Sequence, residues 1–89
     1  MKLIVLMSTY NGEKYLKDQL NSLVTQELLP DQILIRDDGS SDSTLEILKY
    51  YSDSYKFIKY YQGENLGPAK SFMELIKTCD EADYYALCD

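Results

Sequence analysis

The spacing of apolar residues switches repeatedly between two periods along this chain, and that alternation limits the folds open to it. Leu3-Ile4-Val5-Leu6-Met7 is an unbroken apolar run, the pattern of a strand covered on both faces. From Glu13 the spacing becomes helical, with Leu16, Leu20, Leu23 and Val24 on one face and Lys14, Lys17, Asp18 and Asn21 on the other. Asn11 or Gly12 is placed to cap this helix, with Glu13 in its first turn. Pro30 stops the helical pattern, and Gln32-Ile33-Leu34-Ile35-Arg36 reads as a second strand. A second helix follows, with Ser43 and Glu46 at capping-box spacing and Leu45, Ile47, Leu48 and Tyr51 as its buried side. Phe57-Ile58-Lys59-Tyr60-Tyr61 is a less apolar third strand, expected nearer a sheet edge. Pro68 suits the first position of a third helix with Ala69, Phe72, Leu75, Ile76 and Cys79 as its inner stripe. Tyr84-Tyr85-Ala86-Leu87-Cys88 is the fourth strand.

Strands alternating with helices predict a three-layer α/β/α fold around a mainly parallel sheet with right-handed crossovers, and 89 residues leave room for one such domain, residues 1–89. In these sheets ligands sit beyond the carboxyl ends of the strands, where strand order reverses. Those ends carry residues 8–11, residues 37–41 and Asp89. If the first and fourth strands are neighbours, the three polar clusters converge on one crevice.

Composition excludes several kinds of chemistry. A formal net charge of -6 argues against nucleic acid as partner, because a phosphate-backbone binder needs clustered Lys and Arg. With no histidine in the chain, zinc sites and His-based acid–base catalysis are excluded as well. Cys79 and Cys88 match neither a metal knuckle nor a CxxC redox motif, so thiols in a reducing cytoplasm are expected. The first apolar run is too short to span a bilayer, and no cleavage site follows it.

No G-x-G-x-x-G follows the first strand and no GxxxxGK[ST] occurs, so a diphosphate ligand would need another counter-charge. Carboxylates holding Mg²⁺ or Mn²⁺ would supply one. The residues leave two readings open at each position. Asp37 and Asp38 read as an Asx turn and helix cap, or as acceptors for a nucleobase or sugar edge. Tyr10 is a wedge between helix and sheet, or a stacking platform for a base. Asn11 and Glu13 are caps or ligands, and Lys70 is a solvated first-turn side chain or a phosphate contact. Asp89 alone is uninformative.

Four stretches taken together resemble one family. They are residues 3–16 around Ser8-Thr9-Tyr10-Asn11-Gly12, the acidic turn Arg36-Asp37-Asp38-Gly39-Ser40-Ser41-Asp42-Ser43-Thr44, then Glu64-Asn65-Leu66-Gly67, and Ala86-Leu87-Cys88-Asp89. This pattern resembles the opening of family-two inverting glycosyltransferases of the GT-A fold, most of all bacterial rhamnosyltransferase-type members that build surface polysaccharides. The resemblance implies a nucleoside-diphosphate sugar donor, dTDP- or UDP-linked, and a glycan or lipid-linked acceptor. It places Ser8, Thr9, Tyr10 and Asn11 in the nucleotide pocket with the Tyr against the base, Asp38 on the base and Asp37 shaping the pocket. Glu13 and Lys70 are carried as further nucleotide-side candidates. Asp89 matches the first Asp of an Asp-x-Asp motif, which implies a divalent cation, Mg²⁺ or Mn²⁺, bridging the donor's diphosphate. The implied mechanism is in-line attack by an acceptor hydroxyl deprotonated by a general base. Only that first Asp is present and the base is expected beyond it, so these residues correspond to the donor-binding part, inactive in transfer by themselves. The implied setting is cytoplasmic, with the parent protein at the inner face of the cell membrane. Two rivals of other classes are a signalling receiver domain, which needs a phospho-accepting Asp at a later strand end, and a non-catalytic binding module.

Overall fold

The computed structural model describes residues 1–88. Its elements run β1 (Leu3–Thr9), α1 (Leu16–Val24), β2 (Gln32–Asp37), α2 (Thr44–Ser54), β3 (Ile58–Gln62), α3 (Pro68–Thr78) and β4 (Tyr84–Cys88). All strand pairs are parallel, in the order β3-β2-β1-β4. Two successive crossovers therefore step in one direction and the third steps back across the sheet. Because crossovers are right-handed, that reversal puts α1 and α2 on one face and α3 on the other. The core divides accordingly. Val5, Met7, Ile33, Ile35 and Ile58 pack with Leu16, Leu20, Ile47, Leu48 and Tyr51 on one side, while Ile4 and Leu6 pack with Leu75 on the other. This is the three-layer arrangement that the alternation predicts, with β1 beside β4 at the switch point.

Three local expectations are corrected. The first helix begins at Leu16, because residues 12–15 form a turn in which the Tyr15 and Leu16 amides both donate to the Gly12 carbonyl. Asn11 does not cap it: its backbone is left-handed (φ 47°) and its side chain crosses to the acidic turn. The second helix has no capping box, since the Ser43 side chain caps nothing. Asp42 instead accepts from the Thr44 amide and hydroxyl, and Glu13 accepts from the Ser43 amide. The inner stripe of α3 is rotated from the expected one. Ser71 and Leu75 are fully buried with Phe72 and Cys79 partly so, whereas Ile76 is 58% exposed and Ala69 is exposed.

β3 forms one edge, as its composition predicts, with Ile58 as its single buried residue. β4 forms the other edge, with Tyr84, Tyr85 and Leu87 exposed. Cys79 and Cys88 are thiols rather than a disulfide. No helix among the described residues is long and apolar enough to cross a membrane.

Candidate functional site

The parallel ladder delivers the polar clusters to one end of the sheet. Thr9 pairs with Asp37, and the Asp38 amide donates to the Thr9 carbonyl at 2.8 Å, carrying the β1–β2 ladder one residue further. On the other flank the Gly63 amide donates to the Asp37 carbonyl at 2.9 Å, which fixes the start of the loop after β3. The two adjacent carboxylates thus leave the strand with their backbone already pinned on both sides.

Their side chains part there. Asp37 is fully buried. Its carboxylate accepts from the Ser40 amide at 2.8 Å, the Ser40 hydroxyl and Gln62 Nε2 at 3.0 Å, closing the Asx turn and tying it to the end of β3. Asp38 is 3% exposed and turns the other way. Its Oδ1 accepts from Arg36 Nη1 at 2.6 Å and the Leu66 amide at 2.9 Å, and its Oδ2 from the Gly67 amide at 3.0 Å. Burial by itself raises the Asp38 carboxyl's pKa, but the Leu66 and Gly67 amides and the Arg36 guanidinium outweigh it and hold the group below its ordinary value.

Gly39, next in the turn, has φ +84°, and a Cβ there would approach the Asn65 amide nitrogen to 3.2 Å. Gly39→Ala is therefore expected to lower unfolding stability by roughly 1–2 kcal/mol, read as a shift in urea midpoint with unchanged slope.

A second set of bonds closes the loop after β1 onto the same turn. The Asn11 amide donates to Ser40 Oγ at 2.7 Å, the Ser41 amide to Asn11 Oδ1 at 2.9 Å and the Gly12 amide to Thr44 Oγ1 at 2.8 Å. The Glu13 amide donates to Asp42 Oδ2 and the Ser43 amide to Glu13 Oε2, at 3.2 Å each. Asn11 and Glu13 thus clamp the first loop to the acidic turn.

On the α3 side of this clamp lies a cleft of about 630 Å³ lined by Ser8, Thr9, Tyr10, Tyr15, Asp38, Asn65, Gly67, Pro68 and Phe72, a size that suits a small-molecule ligand. Of the residues singled out from sequence, it brings together Ser8, Thr9, Tyr10 and Asp38. Asn11, Glu13 and Asp37 stand in the scaffold beside it. Lys70 is exposed in the first turn of α3 and does not line it. Asp89, the candidate metal ligand, lies outside the described residues. Among the described residues no group of three or more acidic or thiol side chains is arranged to hold a cation. Tyr10 is 50% exposed, and Thr9 Oγ1 is buried without a hydrogen-bond partner among the described residues.

Two participants escaped the sequence reading: Arg36, which is 3% exposed, and the fully buried Ser71. Arg36 Nη1 donates to Ser71 Oγ at 2.9 Å as well as to Asp38, Nη2 donates to the Glu64 carbonyl at 2.9 Å, and Ser8 Oγ donates to Ser71 Oγ at 2.6 Å. A hydroxyl at Ser71 within an apolar helical stripe was the available signal. Asp37 and Asp38 each accept three internal hydrogen bonds of 3.0 Å or less, so both carboxylates are held in place by the fold.

Comparison with known proteins bears on the cleft. The sequence profile of Glycosyl transferase family 2 matches residues 4–89. The chain is similar to the dTDP-rhamnosyl transferase RfbG of Shigella flexneri, 38% identical over 85 residues that make up 92% of this chain and 29% of that protein. It is also similar to the abequosyltransferase RfbV of Salmonella typhimurium, 35% identical over 80 residues, 85% of this chain and 24% of that one. Among solved structures, residues 1–349 of S. aureus TarS in complex with UDP-GlcNAc superpose with a TM-score of 0.81 at 32% identity, over 98% of this chain and 26% of that one. The chain thus spans less than a third of the length of these relatives.

Proposed function

Because the chain belongs to glycosyl transferase family 2, we propose that residues 1–89 form the donor-nucleotide-binding part of an inverting glycosyltransferase. The cleft beyond the carboxyl ends of β1 and β2 carries this reading. It pairs a half-exposed tyrosine ring with a wall of fixed polar groups, as a base and its ribose require. Tyr10 stacks on the base. Ser8, Thr9 and Asp38 line the cleft with polar edges. Asn11, Glu13 and Asp37 shape the cleft from behind.

The proposed ligand is a pyrimidine nucleoside-diphosphate sugar. This rests on the relatives' names, one a dTDP-rhamnosyl transferase and one a structure with UDP-GlcNAc. The amino end of α3 points its free amides toward the carboxyl end of the sheet, and Lys70 lies in that first turn, so both favour a diphosphate there. The described residues do not by themselves fit a divalent cation; Asp89 remains the candidate ligand for Mg²⁺ or Mn²⁺. Transfer to a glycan or lipid-linked acceptor, with rhamnose as one candidate sugar, falls to the longer chain that the relatives possess.

Titration calorimetry with UDP and dTDP against ADP tests the reading. The pyrimidine diphosphates are expected to bind in preference to ADP, and Tyr10→Ala to weaken them by roughly 10- to 100-fold, the usual worth of one base–aromatic stack. No binding of either pyrimidine diphosphate would sink the proposal.

A further inference from the structure

We infer that Arg36, acting with Ser71, is a positioning residue of the cleft: it fixes Asp38 and the loop of residues 64–67 that form one wall, without meeting the ligand. As a statement about ligand binding, this rests on the donor-cleft reading above.

One guanidinium joins four parts of the fold. Arg36, next to last in β2, projects on the α3 side of the sheet. Nη1 donates to Asp38 Oδ1 at 2.6 Å and to Ser71 Oγ of α3 at 2.9 Å, while Nη2 donates to the Glu64 carbonyl at 2.9 Å. Ser71 Oγ accepts also from Ser8 Oγ of β1 at 2.6 Å. Asp38 then passes the restraint on, accepting from the Leu66 and Gly67 amides at 2.9 and 3.0 Å. Four of the residues lining the cleft, Ser8, Asp38, Asn65 and Gly67, are therefore set by this one network or its immediate neighbours.

The loop is also moulded to the guanidinium. A Cβ on Gly63 would lie 2.2 Å from Arg36 Nη2 and 2.7 Å from its Cζ, so the backbone crosses directly over the charged group. A buried pair of this kind, with side chains each 4% exposed, returns little net stability for its desolvation. Its directional fork is what a lysine cannot reproduce, since an ammonium offers no planar set of donors. Geometry, more than charge, is what this arginine contributes.

Three variants of the chain separate position from charge. Arg36→Lys keeps the charge without the fork, Gly63→Ala keeps the arginine but displaces it, and Ser71→Ala removes one partner and is the mildest. Each is read by UDP titration and by amide hydrogen exchange. For Arg36→Lys and Gly63→Ala, UDP affinity is expected to fall about tenfold, the worth of a lost charged hydrogen bond. The Leu66 and Gly67 amides are expected to exchange faster while those of Leu6 and Ile35 in the core strands keep their protection. Ser71→Ala is expected to give the same pattern at smaller amplitude. Unchanged exchange at Leu66 and Gly67 with unchanged UDP affinity overturns the inference. So does a uniform rise across all strands, which marks a merely structural role. If the unmodified chain binds neither UDP nor dTDP, the donor reading falls, and the exchange pattern alone decides the positioning claim.

Discussion

Replacing Asp38 with alanine is expected to cost about 3 kcal/mol of folding stability, a large share of the roughly 5–10 kcal/mol available to a domain of this size. Among the described residues the carboxylate is the only ion-pair partner of the buried Arg36, and it is the acceptor for the Leu66 and Gly67 amides. Its removal leaves a buried cation and two amides without their acceptor, which is far costlier than never having built the pair. The lower end of the range for a broken buried pair applies because the pair lies at the end of the sheet, close to solvent. Urea unfolding measures it, and a midpoint equal to that of the unmodified chain would refute the assignment.

Acid gives a second handle on the same group. The Asp38 pKa is depressed in the folded chain, by hydrogen bonds and the Arg36 charge acting against burial. Such a group stabilises the fold fully above the unfolded carboxylate value near 4 and loses that contribution as pH falls through its lower folded value. The difference in stability between the unmodified chain and Asp38→Ala should therefore be largest near neutrality and shrink below about pH 4. Asp38→Asn, which keeps the shape but not the charge, should show the same flattened acid limb.

Much of the architecture was legible because it depends on spacing. Leu3 to Met7 and Ile33 to Ile35 could only be strands covered on both faces, and Pro68 sits at the first position of α3 as its missing amide predicts. Ser8, Thr9, Tyr10 and Asp38 line one cleft because strand ends in a parallel sheet converge. What stayed hidden depends on direction. Asn11 and Glu13 read as caps for the helix that follows them, yet a left-handed turn at Asn11 sends both toward α2, and no local rule announces that. Arg36 reads only as the last residue of the second strand; its burial depends on α3 presenting Ser71 opposite it, which is a tertiary fact. In α3 the apolar residues Ala69, Phe72 and Ile76 define a helical stripe as regular as the true one, so periodicity could not choose between faces.

That rotation of α3 makes Leu75 the most consequential apolar residue for the cleft. Ser71 and Leu75 are the two buried residues of α3, and Ile4, Leu6 and Leu75 are the fully buried members of the cluster on that face. Among the described residues the opposite face has ten buried ones, shared between two helices and the sheet. Leu75→Ala is expected to cost about 3 kcal/mol, within the range for a fully buried leucine. The loss should also loosen α3 as a unit, withdrawing Ser71 from Arg36 and Pro68 and Phe72 from the cleft. Leu48→Ala supplies the control, because Leu48 is equally buried but packs between α2 and the sheet on the face away from the cleft. At a temperature where both variants are still folded by circular dichroism, UDP affinity should drop at least tenfold for Leu75→Ala, the equivalent of 1.4 kcal/mol. It should stay near that of the unmodified chain for Leu48→Ala. Equal losses in the two variants would mean that the cleft senses global stability and that α3 has no separate hold on it.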